Sequence, residues 1–337
     1  MRVLVLGAGI IGLACAEELL RRGHEVTVVD PAPGSGASHV GAGMLSPSSE
    51  VWHGEEVLLG LGLRSLALWP ELASRIGVRL HETGTLLVGA DHGDLQHVER
   101  HVALLNAHGR EVTLRSGREL RDLEPGLSAR VAGGALLADD HSIDPRAVVA
   151  ALLQRIPVLP ARPEATYDVT VLATGTRLPA PFSHLVHAVR GEIVRVHAQD
   201  PPARTVRGWV HGEPTYVVPR VGGEVVIGAT SEEHDEPPVA TMGGVARLLE
   251  SSRTLLPGLD RARFTAAEAG DRPATADHLP LVGPSGVPGT VLAAGLFRHG
   301  ILLAPITARL LADHLEDGRV EPAFDPRRFP LPERTPA

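Results

Sequence analysis

The sequence predicts an α/β protein of two subdomains, one built on a parallel sheet and the other on a mainly antiparallel sheet. Its 337 residues exceed the roughly 250–300 residues at which a single hydrophobic core stops growing. Apolar residues make up 43% of the chain and aromatic residues only 3%, a composition typical of α/β cores built from Leu, Val, Ile and Ala. The order of the predicted elements is the third observation, because α/β folds alternate strands and helices.

The chain opens with a predicted βαβ unit. Residues 3–6 form a short apolar run, residues 10–22 have helical periodicity, and residues 25–29 predict a second strand. Residues 31–49 are rich in Gly, Ser and Ala, which predicts an irregular loop for most of their length. We expect this loop to touch a ligand.

The middle of the chain predicts a second layer followed by a return to the first. Two helical patterns, one interrupted at Pro70, flank a strand over 83–89. Another helix starts at Asp144-Pro145 and leads to strand-like residues 158–159 and 167–175. These later strands are predicted to rejoin the parallel sheet. The two flanking helical patterns cover residues 55–76 and 91–108.

Residues 187–230 predict antiparallel strands with a turn at Gly222-Gly223. The predicted elements that follow are a helix over 240–256, strands over 262–268 and 291–295, and a helix from Gly300 to Glu316.

Both subdomains are therefore expected to be discontinuous in sequence. We assign residues 1–46, 140–180 and 268–330 to the first, and residues 47–139 and 181–267 to the second.

A dinucleotide-binding fingerprint lies in the opening βαβ unit. Gly7, Gly9 and Gly12 follow the first strand and precede the helix, and Asp30 ends the second strand. These glycines permit a tight turn, close approach of a pyrophosphate and close helix packing, and the helix N-terminus favours phosphate. Asp30 is placed to accept ribose hydroxyls and disfavours the 2′-phosphate of NADP. The motif predicts a Rossmann-like domain without separating NAD from FAD, although the long loop after it favours FAD.

Charge and cysteine content exclude several classes of function. The net charge is −8 and the basic residues are scattered, so we expect no nucleic-acid partner. All 32 basic residues are arginine, which excludes Schiff-base and P-loop lysine chemistry. Cys15 is the only cysteine and reads as a packing residue of a reducing compartment. With no signal sequence or apolar membrane span predicted, we expect a soluble, cytoplasmic protein that does not bind membranes.

Four ordered segments then carry a family resemblance. Residues 36–47 (GASHVGAGMLSP), 215–233, 272–284 (RPATADHLPLVGP) and 293–315 resemble the FAD-dependent D-amino acid oxidase family, most closely its bacterial glycine oxidases. The resemblance covers almost the whole chain. It implies a glutathione-reductase/D-amino acid oxidase type of fold, in which a Rossmann-like FAD-binding domain joins a mainly antiparallel β substrate domain.

The resemblance also implies the site residues. It places Arg272 on the arginine that clamps the substrate carboxylate, Tyr216 on a tyrosine that shares this carboxylate, and Arg298 on a second basic position beside the flavin. The amides of residues 300–303 are expected at the N-terminus of the last helix, facing the flavin. FAD is expected to bind without a covalent bond. Together with the fingerprint glycines Gly7, Gly9 and Gly12, the expected cofactor contacts are Ile10, Ile11, Asp30, Pro31, Ala37, Ser38, Ala42, Gly43, Met44, Val158, Leu296, Phe297, Arg298, His299, Gly300, Ile301 and Leu302.

The activity implied by the resemblance is oxidation of glycine, sarcosine or a small D-amino acid. Hydride transfer from Cα to flavin N5 gives an imine, then an oxo acid and ammonia, and O2 reoxidises FAD to form H2O2. A dehydrogenase with another acceptor and a flavin-binding protein without turnover stay open. A part in thiamine biosynthesis is implied by resemblance alone, and the resemblance is compatible with a homo-oligomer.

Several residues keep alternative readings. Taken alone, Arg272 reads as a surface ion-pair partner and Tyr216 as an ordinary strand residue. His39 lies near the position at which some relatives attach FAD. Asp94, His97 and His101 have a spacing that fits zinc, but a solvated helix face is the better reading and we predict no metal.

The chain also departs from the family pattern. Residues 158–167 are short, which weakens the adenine contact expected at Val158. Ser231 stands where glycine oxidase has a larger pocket residue, and His299 replaces an asparagine. The absence of lysine speaks against the monomeric sarcosine oxidase subtype.

Overall fold

The computed structural model describes residues 1–331, in which the strands form three sheets. The strands are β1 (Arg2–Leu6), β2 (Glu25–Val29), β3 (Met44–Leu45), β4 (Leu80–His81), β5 (Thr85–Gly89), β6 (Leu114–Ser116), β7 (Gly133–Leu137), β8 (His141–Ile143), β9 (Val158–Leu159), β10 (Val169–Leu172), β11 (His187–His197), β12 (Thr205–Val210), β13 (Glu213–Pro219), β14 (Glu224–Gly228), β15 (Arg263–Ala274), β16 (Leu281–Pro284) and β17 (Thr290–Ala294).

The helices surround these sheets. They are α1 (Ile10–Arg21), α2 (Ala37–Val40), α3 (Pro47–Glu50), α4 (Glu56–Leu66), α5 (Trp69–Ile76), α6 (His92–Ala107), α7 (Gly117–Leu123), α8 (Pro145–Leu153), α9 (Met242–Leu255) and α10 (Ala304–Asp317). Short 3₁₀ turns cover Ser183–Leu185, Val221–Gly223, Pro257–Arg261, Phe297–His299, Pro322–Phe324 and Pro326–Arg328.

The first sheet is the predicted parallel one. Its strand order is β16-β17-β10-β1-β2-β9, and all neighbours are parallel except β16 and β17. Val3, Val5 and Val171 on its central strands are completely buried. Such strands need apolar residues on both faces because helices cover both sides of a parallel sheet. The predicted βαβ opening is confirmed by β1, α1 and β2.

The second sheet is larger and mainly antiparallel, in the order β15-β11-β14-β13-β12-β5-β7-β6. The antiparallel strands predicted over 187–230 form its centre, whereas β12 and β5 pair in parallel. The strand predicted over 262–268 is too short, because β15 continues to Ala274 along its partner β11. Pairing with a long neighbour extends it beyond what its own sequence indicates. The predicted fold class is confirmed.

The glycine-rich segment over 31–49 is irregular for just over half of its length, as predicted, but it also contains short regular elements. These are α2, β3 and the start of α3, and β3 pairs with β8 in a small third sheet that β4 completes. The strand arises from tertiary pairing, since Met44 lies opposite Ser142 and the amide of Ile143 donates to the carbonyl of Gly43 at 2.9 Å. Local composition carries no signal for such a partner.

The last helix begins four residues later than predicted, at Ala304 instead of Gly300. Pro305 lies in its first turn, a position that suits proline because the missing N–H has no helical partner there. Residues 297–299 form a separate 3₁₀ turn, and the amide of Leu303 donates to the carbonyl of His299 at 2.8 Å. The expectation that the 300–303 amides form the helix N-terminus is therefore wrong.

The reading of α6 as a solvated face is also wrong for two of its residues. Asp94 is buried, and its carboxylate accepts the amides of His211 and Gly212 at 2.9 and 2.8 Å. His101 is buried with Nε2 2.7 Å from the carbonyl oxygen of Ser48, while the ring of His97 stacks on an indole. Within residues 1–331, no group of three or more His, Cys, Asp or Glu side chains is arranged to hold a metal ion.

The described helices include none that is both long enough and apolar enough to cross a membrane. The division into two discontinuous domains stays a prediction. Its boundary at residue 268 falls inside β15, the strand that also carries Arg272.

Candidate active site

The turn between β1 and α1 leaves the helix N-terminus open. Gly9 is the N-cap of α1 and offers no side-chain cap, and a Cβ added to it would meet only the Ser38 hydroxyl, at 3.3 Å. Gly7 has a φ of 104° and leaves no room for a Cβ, which would lie 2.3 Å from the carbonyl oxygen of Ala173, the residue after β10. Ile10 donates its amide to Ser38 Oγ at 3.0 Å. Backbone N–H groups at such a terminus favour an anion.

Asp30 lies where the fingerprint predicts, at the end of β2. Its carboxylate accepts the amides of Ala8 at 2.7 Å and Ala32 at 2.8 Å. Pro31 follows and is exposed, while half-buried Val158 pairs with Val28 in the edge strand β9. The turn, Asp30 and Val158 therefore line one edge of the parallel sheet.

Residues 37–44, here called the flavin loop, contact this edge through Ser38 and the second sheet through Val40, which lies against Gly270. Three arginines that the sequence analysis did not single out bind the loop's carbonyl oxygens. Arg146 donates to the carbonyl of His39 at 2.8 Å, Arg195 donates to it at 3.4 Å, and Arg220 donates to the carbonyl of Ala42. The loop also contains the expected cofactor contacts Ala37, Ser38, Ala42, Gly43 and Met44.

The expected flavin run 296–302 lies against the flavin loop. A Cβ added to Gly41 would lie 3.5 Å from Cγ1 of Ile301. Leu296 and Leu302 are buried, and the Leu302 carbonyl accepts the Ser65 hydroxyl at 2.6 Å and the Trp69 indole N–H at 2.9 Å. These two bonds hold the run in place. Its members Phe297, Arg298, His299 and Gly300 lie in the 3₁₀ turn and just after it.

The residues at this edge fit an FAD molecule. An open helix N-terminus suits a pyrophosphate, and the Asp30 carboxylate suits a ribose. Within residues 1–331, buried Nε of Arg298 and Nε2 of His299 have no hydrogen-bond partner from the protein. Unpaired buried polar atoms are costly, so a bound polar ring system at this position would satisfy them. Burial and the adjacent Arg298 charge lower the pKa of His299 well below its ordinary value, which leaves the imidazole neutral.

Arg272 and Tyr216 converge above two glycines of the second sheet. The Arg272 guanidinium lies on Gly191, where an added Cβ would come within 2.3–2.5 Å of it. The Tyr216 ring lies on Gly228 in the same way, with its hydroxyl 2.3 Å from an added Cβ. Two strands, β11 and β14, lie between β15 and β13. Because Gly191 and Gly228 on these strands have no side chains, the Arg272 guanidinium and the Tyr216 ring can lie over them on the sheet. Burial raises the pKa of Tyr216 although Arg272 acts in the opposite sense, so the phenol stays neutral.

The Arg272 guanidinium has no carboxylate partner among residues 1–331. Its Nη1 donates to the carbonyls of Arg190 at 3.3 Å and Thr230 at 3.2 Å. These bonds orient the guanidinium, and no acidic side chain of the described part of the chain compensates its charge. An anion with two oxygens would complete the pairing.

Arg298 is held quite differently. Its guanidinium forms an ion pair with Glu55, donates to the carbonyl of Glu50 at 3.1 Å, and lies 5.7 and 5.3 Å from the ring centres of Trp52 and Phe297. The sequence analysis missed Glu55, which lies six residues after the end of the glycine-rich segment. Arg298 is therefore compensated before any ligand arrives.

Glu50 is a second missed residue. It is 5% exposed, and Oε1 accepts Arg207 Nη1 at 3.1 Å while Oε2 lies 3.8 Å from His299 Nδ1. The ion pair joins α3 to β12 beneath the site. A buried pair of this kind orients its neighbours more than it stabilises the fold.

These features define a nucleotide-cofactor oxidoreductase in which a Rossmann-like edge faces a β-sheet that presents an arginine without a carboxylate partner among the described residues. The chain belongs to the family described as FAD dependent oxidoreductase, which it matches over residues 2–314. It is an FAD-dependent oxidoreductase.

Individual relatives agree over nearly the full length. The chain is 32% identical to the glycine oxidase of Geobacillus kaustophilus, covering 98% of this chain and 96% of the relative. The crystal structure of glycine oxidase from that organism superimposes with a TM-score of 0.86 at 31% identity, covering 99% of this chain and all of the other. A Rhizobium etli oxidoreductase, ThiO, whose name assigns it provisionally to thiamine biosynthesis, is 34% identical over 95% of this chain and 99% of its own length.

Proposed function

We propose that this enzyme oxidises a small amino acid, either glycine, sarcosine or a small D-amino acid. The observation that carries the proposal is the Arg272 guanidinium, which two carbonyls orient and which no described carboxylate neutralises. A guanidinium fork matches a carboxylate by two parallel hydrogen bonds. The names of the glycine oxidase relatives support an amino acid as the carboxylate ligand.

The site residues divide the work of binding and orientation. Arg272 holds the substrate carboxylate, and the neutral Tyr216 phenol donates a third hydrogen bond to it. Arg298, paired with Glu55 and lying against the Trp52 ring, is proposed to line the side of the site near the flavin run. Clamping the carboxylate fixes the position of Cα, which makes the reaction effectively unimolecular.

FAD bound along this edge would supply the oxidising power, as the acceptor of a hydride from Cα; the substrate would become an imine that water hydrolyses to an oxo acid and ammonia. The proposed cofactor contacts are those predicted along the turn at Gly7–Gly12, Asp30, the flavin loop and the run 296–302. The flavin is proposed to be held without a covalent bond. His39 lies near the position at which some relatives attach FAD, but its imidazole Nε2 is 3.4 Å from a carboxylate oxygen of Glu268. O2 is proposed as the acceptor that returns FAD to its oxidised form, with release of H2O2.

Anaerobic titration of the purified holoenzyme tests the reaction. Glycine, sarcosine and D-alanine are added separately, and the visible flavin absorbance is followed. We expect bleaching with at least one of them, and little with L-alanine as the matched control. Failure of all three to bleach the flavin contradicts the proposal.

Admitting air to the bleached enzyme then tests the acceptor. Rapid return of colour with one equivalent of H2O2 supports an oxidase. Slow return in air, with fast return after adding an artificial quinone, identifies a dehydrogenase instead. Loss of thiamine-independent growth on deleting the gene would support a part in thiamine biosynthesis, which the name of the R. etli relative suggests.

A further inference from the structure

One face of β15 carries three residues with different partners. Glu268, Gly270 and Arg272 alternate along the strand, and side chains two residues apart point to the same face. Opposite them on β11, the register pairs Gly191 with Gly270. This face therefore runs from the candidate substrate arginine toward the flavin loop.

Glu268 is the centre of a charged network at the far end of this face. Its carboxylate accepts Arg195 Nε at 2.8 Å and Arg146 Nη2 at 2.6 Å, and it lies 3.4 Å from His39 Nε2. Arg195 is only 4% exposed. Burial opposes ionisation of Glu268, but the two arginines hold the pKa of its carboxyl below the ordinary value.

Both arginines also hold the flavin loop itself. The Nε of Arg146 and the Nη2 of Arg195 donate to the same carbonyl oxygen, that of His39. Glu268 thus fixes two guanidinium groups, and other N–H groups of both donate to the His39 carbonyl oxygen of the loop. A guanidinium bound on one edge by a carboxylate has little freedom left on the other.

Gly270 makes a second contact between β15 and the loop. A Cβ added to Gly270 would lie 3.0 Å from Cγ2 and 3.1 Å from Cβ of Val40. The loop therefore packs directly on the strand's backbone at this position. The strand and the loop therefore meet at two points, the charged contact of Glu268 with His39 and the steric contact of Gly270 with Val40.

We propose that Glu268 is a positioning residue that sets the flavin loop at a fixed distance from Arg272. Four residues of a β-strand span about 13 Å, and a strand paired along its length is stiff. The group that orients the cofactor loop and the group that holds the substrate carboxylate thus share one rigid element. The proposal rests on the proposed function for the role of Arg272, but not for the effect of Glu268 on the loop.

Replacement of Glu268 tests the proposal with a matched control on the same arginine. Glu268→Gln keeps the shape but removes the charge, whereas Glu224→Gln removes the other carboxylate of Arg195, which lies 3.3 Å from Nη1 and is not bonded to the loop. FAD release from the diluted holoenzyme is followed as a gain of flavin fluorescence. We expect release to be about tenfold faster in Glu268→Gln, since it loses charge-assisted hydrogen bonds to both arginines, and within twofold of wild type in Glu224→Gln.

Stopped-flow reduction supplies a readout that a merely structural role would not move. With Arg272 intact, Glu268→Gln is expected to reduce its flavin about tenfold more slowly at saturating amino acid, with the apparent substrate Kd within about threefold of wild type. Equal behaviour of the Glu268 and Glu224 variants in both measurements overturns the proposal. If wild type is not reduced by any amino acid, the proposed function fails, and FAD release still decides the role of Glu268.

A steric variant covers the case in which Glu268→Gln does not fold. Gly270→Ala should push the loop away through Val40, which speeds FAD release and slows reduction. Adding Val40→Ala removes the atom at 3.0 Å and should restore both rates in part. A double variant no better than Gly270→Ala contradicts the contact between strand and loop.

Discussion

Truncation of Arg272 to alanine should abolish most of the selectivity for carboxylate substrates while sparing the fold. The wild-type guanidinium is bound only to two carbonyls within the described residues, so its removal leaves no charged partner behind. The carbonyl of Arg190 keeps a second donor, the amide of Glu232 at 3.0 Å. We therefore expect the free energy of unfolding to change by about 1 kcal/mol and the flavin spectrum to stay as in wild type.

The loss for an amino acid substrate follows from the unpaired charge. Removing one partner of a hydrogen-bonded charge pair costs about 2–5 kcal/mol, and partial exposure of Arg272 keeps the cost below the top of that range. A loss of about 2–4 kcal/mol corresponds to a fall of roughly 30- to 900-fold in kcat/KM. Arg272→Lys should recover part of this, since an ammonium keeps the charge without the bidentate geometry.

Steady-state kinetics with glycine and with a simple amine that lacks the carboxylate separate the effects. The alanine variant should lose activity toward glycine and change much less toward the amine. Normal kcat/KM for every carboxylate substrate would refute the clamp assignment. Arg298 would then be the remaining candidate, provided that Glu55 releases it.

Three further changes have distinct expected outcomes. Gly191→Ala places a Cβ within 2.5 Å of the Arg272 guanidinium and should raise KM for the amino acid at least tenfold while FAD stays bound, as measured by steady-state kinetics and the visible spectrum. Glu50→Ala leaves the Arg207 guanidinium buried without its carboxylate and should lower the free energy of unfolding in urea by about 3–5 kcal/mol. Asp140 is completely buried, and burial raises the pKa of its carboxyl to about 7. Its ordinary value is near 4, so the unfolded chain releases the proton first, and stability falls as pH rises from about 4 to about 7. Asp140→Asn should weaken this pH dependence in urea unfolding at pH 5 and 8.

The Glu50 variant has a matched control. Glu71→Ala removes an exposed partner of Arg75, which keeps Glu17 at 3.0 Å, and should cost less than about 1 kcal/mol. A similar cost for Glu50→Ala would show that its buried ion pair with Arg207 contributes little to the free energy of unfolding. An unchanged KM in Gly191→Ala, or an Asp140→Asn protein with the wild-type pH profile, would remove those two assignments.

Part of this fold could be predicted because its signals are local. The opening βαβ unit follows from glycine spacing, helical periodicity and an acid at the end of the second strand, all within the first 30 residues. The helices over 92–107, 145–153 and 242–255 likewise lie close to their predicted bounds. The resemblance supplied the candidate substrate and cofactor residues, which stay predictions.

Other features depended on partners distant in sequence. The strand β3 exists because Met44 meets Ser142, and β15 is long because β11 is long. Asp94 and His101 were predicted to be exposed helix residues, yet both are buried. Asp94 accepts a hydrogen bond from the amide of Gly212, and the His101 ring is hydrogen-bonded to the carbonyl of Ser48. The members of each pair are too far apart in sequence for local patterns to predict the contact.

The sequence by itself determined the class of cofactor site, because that class depends on a short motif in its βαβ context. Only the tertiary structure decided which of the two candidate arginines has a carboxylate partner. Arg298 meets Glu55 across 243 positions of chain, while among the described residues Arg272 lies over a glycine and meets only carbonyls. Charge compensation depends on distance in space, and two identical side chains therefore become a compensated residue and an unpaired cation.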